Sequence, residues 1–416
     1  MAGRSLVLAA LLAGISLAAG LVDPIEPFDG HHLFVASPDA QVLFEFDAGG
    51  DLQPTKVTGL TSIHDLAFGP DGALYATDFD LDRVLVYDAS GDELVAFGEG
   101  SDLDEPTDLA FGPAGGLYVA SSATDSVLVF ARDGSVSDTF GEGSGLDDPR
   151  GLAFSPDGRL WVSSFGTDEV LVFDPSGVLV DTLSDVALQG PYGLAFAPQG
   201  HLLVASRDTD RVLEFDGAGD VVASFGAGSG LESPTAIAIG PDRNLYVASE
   251  GSDAVLVFDA DGSLLDTITT GELFGPTGLA FSPAVFSATI KGRLARSGQG
   301  DDKLTSTARV TWSPGSGWMT LLLTDVGDDM SELFGGDALV LSGFEVTESG
   351  DSKTRHVAAR ELQGDAQATA ITSVGIVFKG GVDDDDSYEP GKATGYFHRA
   401  GPGGSVDATI KLKKQN

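Results

Sequence analysis

Short runs in which apolar and polar positions alternate fill the first two thirds of the chain. Leu66 to Ala76 is representative: Leu-Ala-Phe, a Gly-Pro-Asp-Gly-Ala break, then Leu-Tyr-Ala. Phe68 returns as Phe111, Phe154, Phe196, Ile239 and Phe281, at steps of 43, 43, 42, 43 and 42 residues. Alternation with period two, rich in β-branched and aromatic residues, predicts strands. A repeat of about 40–50 residues holding several short strands predicts a radial array of small sheets, one per repeat.

Within a repeat the breaks place four strands. Gly151 to Phe154 reads as the first and Leu160 to Ser163 as the second, with Pro156-Asp157-Gly158 as a tight turn between them. Val170 to Phe173 is the third. A second turn carries glycine in every repeat (Gly50, Gly91, Gly134, Gly177, Gly219, Gly262), and Glu93 to Phe97 or Val221 to Phe225 is the fourth. The array starts with second, third and fourth strands at His32 to Ser37, Leu43 to Phe46 and Leu52 to Val57, and it stops after a first strand at Gly278 to Phe281. The expectation is an all-β, six-bladed β-propeller over residues 31–283, its two chain ends joined in one composite blade that removes exposed sheet edges.

From Ala284 the period ends. Alternating segments at Ser287 to Leu294, Thr307 to Trp312, Trp318 to Thr324, Ala338 to Val346, Thr369 to Phe378, Thr394 to His398 and Ser405 to Leu412 predict a β-sandwich or small β-barrel over 284–416. Ala288-Thr289-Ile290-Lys291 and Ala408-Thr409-Ile410-Lys411 are alike, which suggests that its first and last strands are neighbours.

The repeat text resembles the NHL repeat. Pro149 to Val162 carry its Pro-x-Gly-Leu-Ala-Phe-x-Pro-Asp-Gly-x-Leu-x-Val part, Asp168 to Asp174 its Asp-x-Val-x-Val-Phe-Asp part, and Phe140 to Leu146 its Phe-Gly-x-Gly-Ser-Gly-Leu part. The resemblance implies the propeller fold. It leaves activity open, because similar propellers include protein- and RNA-binding scaffolds, streptogramin B lyases, peptidyl-hydroxyglycine amidating lyases and gluconolactonase-like hydrolases.

Composition narrows the field. The chain has 416 residues and no cysteine, which excludes disulfides and thiolate metal sites. The net charge is −40, of which residues 284–416, with 18 acids and 14 Lys/Arg, hold only −4. So acidic a surface disfavours nucleic acid and anionic lipid as partners. Residues 1–18 read as a secretory signal: Arg4, an apolar run from Ser5 to Ala18, and small residues Ser16 and Ala18 before a cleavage point. The run is short for a membrane span, and a secreted, periplasmic or extracellular location is expected.

Chemistry in such a ring gathers on one face near the axis. The residue opening each first strand lies there, and so does the link between second and third strands. Repeat alignment puts His64, Thr107, Arg150, Tyr192, Thr235 and Thr277 in the first position. Asp78, Ser121, Ser164, Ser206, Ser249 and Ser37 take the second, followed by Phe79, Ser122, Phe165, Arg207, Glu250 and Pro38. His64, Asp78, Arg150, Tyr192, Arg207 and Glu250 depart from the repeat and form the candidate binding site, with His64 and Glu250 as candidate catalytic groups. Asp82, Asp125, Asp168, Asp210 and Asp253 recur at one position and read as turn residues whose carboxylates accept backbone N–H groups.

Two oxygen-rich stretches are candidate Ca²⁺ or Mg²⁺ ligands: Asp78, Asp80 and Asp82, and the run Asp383, Asp384, Asp385, Asp386. The first lacks a calcium loop's glycine, having Arg83 there, and its closing Glu, having Ala89. A three-histidine zinc site is disfavoured: besides His31, the propeller has only His32, His64 and His201, and the second-strand positions of His32 and His201 face away from His64. The chain carries no Gly-x-Ser-x-Gly elbow and no phosphate loop. The favoured expectation is a secreted module that binds a protein, peptide or glycan at the propeller rim. The rivals are a divalent-metal-dependent lyase or lactone hydrolase and a structural envelope or matrix component.

Overall fold

The computed structural model describes residues 32–282, except for 48–49, 55–56, 58–59, 70–71, 89–90, 113–114, 132–133 and 156, and the backbone of strands between 284 and 414. The signal expectation for 1–18 and the Asp383–Asp386 cluster lie outside the described residues. The chain divides into two compact units, one reaching Ser282 and one running from Pro283.

The first unit is all-β: a six-bladed propeller whose only helical pieces, among the described residues, are single 3-10 turns. Five four-stranded antiparallel sheets follow in order, spanning 63–97, 106–140, 149–183, 191–225 and 234–268. They are blades one to five here. The sixth sheet takes strands from both ends of the array: Leu33–Ser37 pairs with Val42–Phe46 on one side and with Gly278–Phe281 on the other, in the register Leu33↔Phe281 and Ala36↔Gly278. Of the fourth strand expected at Leu52 to Val57, the described residues show one bridge, Phe46↔Leu52. Pro54 has no N–H to give a ladder there.

Each third strand, such as Val170–Phe173 within Glu169–Phe173, is buried along nearly its whole length, because both faces of a blade are covered by its neighbours. The seam between blades repeats one contact. An aromatic ring on a second strand meets, edge to face, the Phe that ends a first strand of the next blade. The pairs are Phe34–Phe68, Tyr75–Phe111, Tyr118–Phe154, Trp161–Phe196 and Tyr246–Phe281, with centroids 4.8–5.6 Å apart. Such pairs add about 0.5–1.5 kcal/mol beyond their burial. Where aliphatic Ile239 replaces the phenylalanine, it shares a hydrophobic cluster with the second-strand Leu203.

A polar clasp runs beside the aromatic one. Asp82, Asp125, Asp168, Asp210 and Asp253 end the 3-10 turns in the left-handed region, φ +50 to +58°. Asp tolerates that backbone better than most residues. Each carboxylate accepts the backbone N–H that leads into the next blade, from Glu105, Asp148, Gly190, Ser233 and Gly275, at 2.7–2.9 Å. The recurring aspartates are thus turn residues bound to backbone, as their spacing suggested.

In the second unit the described strands form one nine-stranded antiparallel sheet. Ala284–Ala295 pairs with Gly404–Lys414, and Ile290 lies opposite Ile410. The register aligns Phe286 with Val310, Ala288 with Leu412, and Ala393 with Leu412. Sequence reading missed Thr354–Glu361, whose Arg-His and Arg-Glu ends blur its alternation.

Replacing Asp210 tests the clasp. Asp210→Ala should lower unfolding free energy in urea by about 1–2 kcal/mol, through loss of a charge-assisted bond and left-handed strain. Asp210→Asn, which keeps an acceptor and tolerates that backbone, should lose well under half as much.

Candidate functional site

The inner strand of each full blade contains a β-bulge at its first residues. In blade one Ile63 faces Asp78 and Leu66 faces Ala76, leaving His64 and Asp65 opposite the single residue Thr77. The same shift occurs at Thr107–Asp108, Arg150–Gly151, Tyr192–Gly193 and Thr235–Ala236. A bulge frees one residue from the strict in–out alternation and re-aims it. It therefore builds the mouth of the ring, two residues per blade.

The first bulge positions divide into two kinds. Three threonines join blades: Thr107 Oγ1 donates to the Pro149 carbonyl (2.8 Å), Thr235 Oγ1 to Pro276 (2.9 Å) and Thr277 Oγ1 to Ile63 (3.3 Å). His64, Arg150 and Tyr192 are of another kind, large rings and a cation, and Arg150 meets Tyr192 across two blades. His64 stacks on Phe79, with centroids 4.3 Å apart. The Arg150 guanidinium lies 5.7 Å from both the Phe165 and Tyr192 ring centroids and pairs with Asp148 at 2.7 Å. Arg207 forks onto Glu250 of the next blade through Nε (3.2 Å) and Nη2 (2.7 Å). The structure thus sets His64, Arg150 and Tyr192 at first bulge positions and Arg207 and Glu250 in the 3-10 turns that follow second strands.

Asp78, the remaining departure from the repeat, is fully buried, accepting from Thr61 Oγ1 (2.7 Å) and Arg83 Nε (3.0 Å). The equivalent serines show why the position is structural: Ser121, Ser164, Ser206 and Ser249 each accept from and donate to the backbone of a residue in the preceding connector, at 2.9–3.0 Å. The calcium-loop reading of Asp78, Asp80 and Asp82 loses its geometry as well. Asp82 is occupied by the Glu105 amide, and among the described residues no three His, Asp or Glu side chains gather as metal ligands. Asp80 and Asp82 instead line an open cleft of about 800 Å³ beside Glu99, Asp102 and Asp104. His32 and His201 are held by Glu45 and Glu214 at 2.6 and 2.7 Å.

The second bulge positions hold what sequence reading missed. Asp65 and Asp108 are paired side chain to side chain and line a cavity of about 160 Å³ with Thr107, Arg150, Tyr192 and Thr235. Each also accepts a backbone N–H of the next inner strand, Asp65 from Leu109 (3.4 Å) and Asp108 from Leu152 (2.8 Å). The signal was present: other repeats carry Gly151, Gly193, Ala236 and Gly278 there. A Cβ at Gly151 would stand 2.1 Å from the Tyr192 carbonyl oxygen, and one at Gly193 2.5 Å from that of Thr235. Only blades one and two have room for a carboxylate.

Burial sets the charges. It raises Asp65 well above the ordinary carboxylate range, with the Asp108 charge adding to the effect, and it raises Asp108 to about 6. Burial first, and the Arg150 charge second, lower His64 to about 4, so the imidazole is neutral near pH 7. Burial also raises the Tyr192 phenol, against the opposing pull of Arg150.

No protein family matches this chain, and no curated protein does. Solved structures do. A chain of the nidogen/laminin complex is 22% identical at a TM-score of 0.53, covering 61% of this chain and 98% of that one. A protein of unknown function from Bacteroides caccae is 15% identical at 0.50, covering 61% and 98%. A streptogramin B lyase is 10% identical at 0.45, covering 92% and 98%. These are likenesses of fold. Among the described residues no helix is long and apolar enough to cross a membrane.

Opposite pH slopes should separate the two titrating positions. The raised Asp108 favours the folded state fully below about pH 3.8, and that contribution is lost as pH rises through about 6. Asp108→Asn imitates the protonated acid, so at pH 7 it should be more stable than wild type by about 1–2 kcal/mol, with little gain at pH 4. The depressed His64 contributes above pH 6.5 and loses that contribution as pH falls to about 4. His64→Gln should flatten this acid-side loss. Urea titrations of both variants from pH 4 to 8 read the two slopes.

Proposed function

We propose that the protein is a binding module whose propeller mouth recognises a protein, peptide or glycan partner. The carrying observation is the division of the mouth. Three inner positions are occupied by threonines whose hydroxyls bond to a neighbouring blade's carbonyl, whereas the other three present the large aromatic and cationic groups His64, Arg150 and Tyr192, with Phe79 and Phe165 against them. Large aromatic and arginine groups on a rigid ring are the residue types that dominate binding energy at interfaces. One fold neighbour comes from a protein–protein complex, nidogen with laminin, which accords with this reading.

The rival is a lyase or lactone hydrolase with His64 as base. The neutral imidazole favours it, since an uncharged ring can take a proton. Against it, Glu250 is tied to Arg207 rather than set beside His64. We further propose export, with residues 1–18 removed.

Cross-linked partners recovered from the native medium by immobilised wild type should be lost at least about tenfold with Tyr192→Ala or Arg207→Ala, while melting temperature stays within a few degrees. Equal recovery would remove the mouth as the binding face. N-terminal sequencing of the exported protein should begin at Ala19.

A further inference from the structure

We infer that the mouth binds a carboxylate of a peptide partner, held by the Nε–H of Arg150. The inference rests on the binding reading above and names the chemistry of the group bound.

Arg150 presents its donors unevenly. Nη2 is engaged by Asp148, at 2.7 and 2.9 Å from its two oxygens. The guanidinium is flanked by the Phe165 and Tyr192 rings, which fix its plane. Nε is buried and has no hydrogen-bond acceptor. A desolvated donor left unmade costs about 1–3 kcal/mol, so an incoming acceptor at that edge is strongly favoured. The N–H parallel to Nε–H belongs to Nη2, which Asp148 already holds, so the incoming carboxylate takes the Nε–H as a single charge-assisted bond. His64 Nδ1 is a second buried atom without a partner.

The surroundings select for a single, small anion. Outside residues 284–416 the chain carries −36, and Arg150 is the one cationic side chain among the residues that line the cavity. Beneath, Asp65 and Asp108 share a proton, which halves the negative charge facing an incoming acid. The cavity of about 160 Å³ accommodates a carboxylate and a carbon or two. Its aromatic flank suits an acidic side chain or chain terminus better than a hydroxylated ring.

The test uses the full chain with blocked aspartate (N-acetyl-Asp-amide), its neutral isostere blocked asparagine, and glucuronate, at constant ionic strength by calorimetry. Wild type should prefer blocked aspartate over blocked asparagine by at least about tenfold. Arg150→Gln should erase the preference, and Arg150→Lys, which keeps the charge but not the Nε–H, should reduce it at least about fivefold. Arg159→Gln, at an exposed pair with Asp157, should leave it unchanged. No preference in wild type, or a preference that survives Arg150→Gln in a protein of unchanged melting temperature, would overturn the inference. So would binding of glucuronate alone. A partner captured through Tyr192 and Arg207 with no aspartate preference would sink the carboxylate and leave the binding reading standing.

Discussion

The contact between neighbouring blades is the constraint on which the rest depends. A four-stranded sheet of five-residue strands has two apolar faces and cannot bury either alone. Burial comes from the next blade, through an aromatic edge on one strand and a ring face on the next. Aspartates in left-handed turns add direction to that contact, since each fixes the amide at which the chain enters the following blade. The sixth sheet brings the same contact to both chain ends, with Phe34 against Phe68 and Tyr246 against Phe281.

The mouth is a by-product of this packing. Inner strands crowd near the axis, and the bulge at each strand start relieves the crowding by turning two residues out of register. In half of the ring the freed position is occupied by a threonine that joins blades. In the other half it is left to His64, Arg150 and Tyr192. The neighbouring position is glycine where the next blade's carbonyl presses in, and aspartate where it does not. Structure and recognition thus use alternate copies of one local device. Charge follows the same economy: an acidic body surrounds a mouth in which a neutral histidine, a carboxylate pair sharing a proton and two paired arginines keep the local field small.

The period of the apolar pattern was enough to specify the blade strands, the turns and the six-fold count. Each of these follows from local rules that repeat: alternation, glycine at a tight turn, aspartate at a left-handed cap. Comparison among copies also separated His64, Arg150, Tyr192, Arg207 and Glu250 from the threonines and serines. It failed at Asp78, because a departure from the repeat looks the same in sequence whether the new residue meets solvent or a buried Thr61 and Arg83. The short sixth sheet was likewise out of reach, since one proline decides whether a strand has a ladder to join.

Only tertiary structure could pair Asp65 with Asp108. They stand 43 residues apart in positions that read as variants of glycine, and their shared proton exists because two blades bring them together around a narrow axis. The same holds for the depressed histidine and for the Nε of Arg150, whose states depend on what surrounds them and not on their neighbours in the chain. Repetition makes a fold legible from sequence because each copy states the same local rule. Electrostatics at the axis are set once, by non-repeating residues from several blades, and are decided only when the ring is assembled.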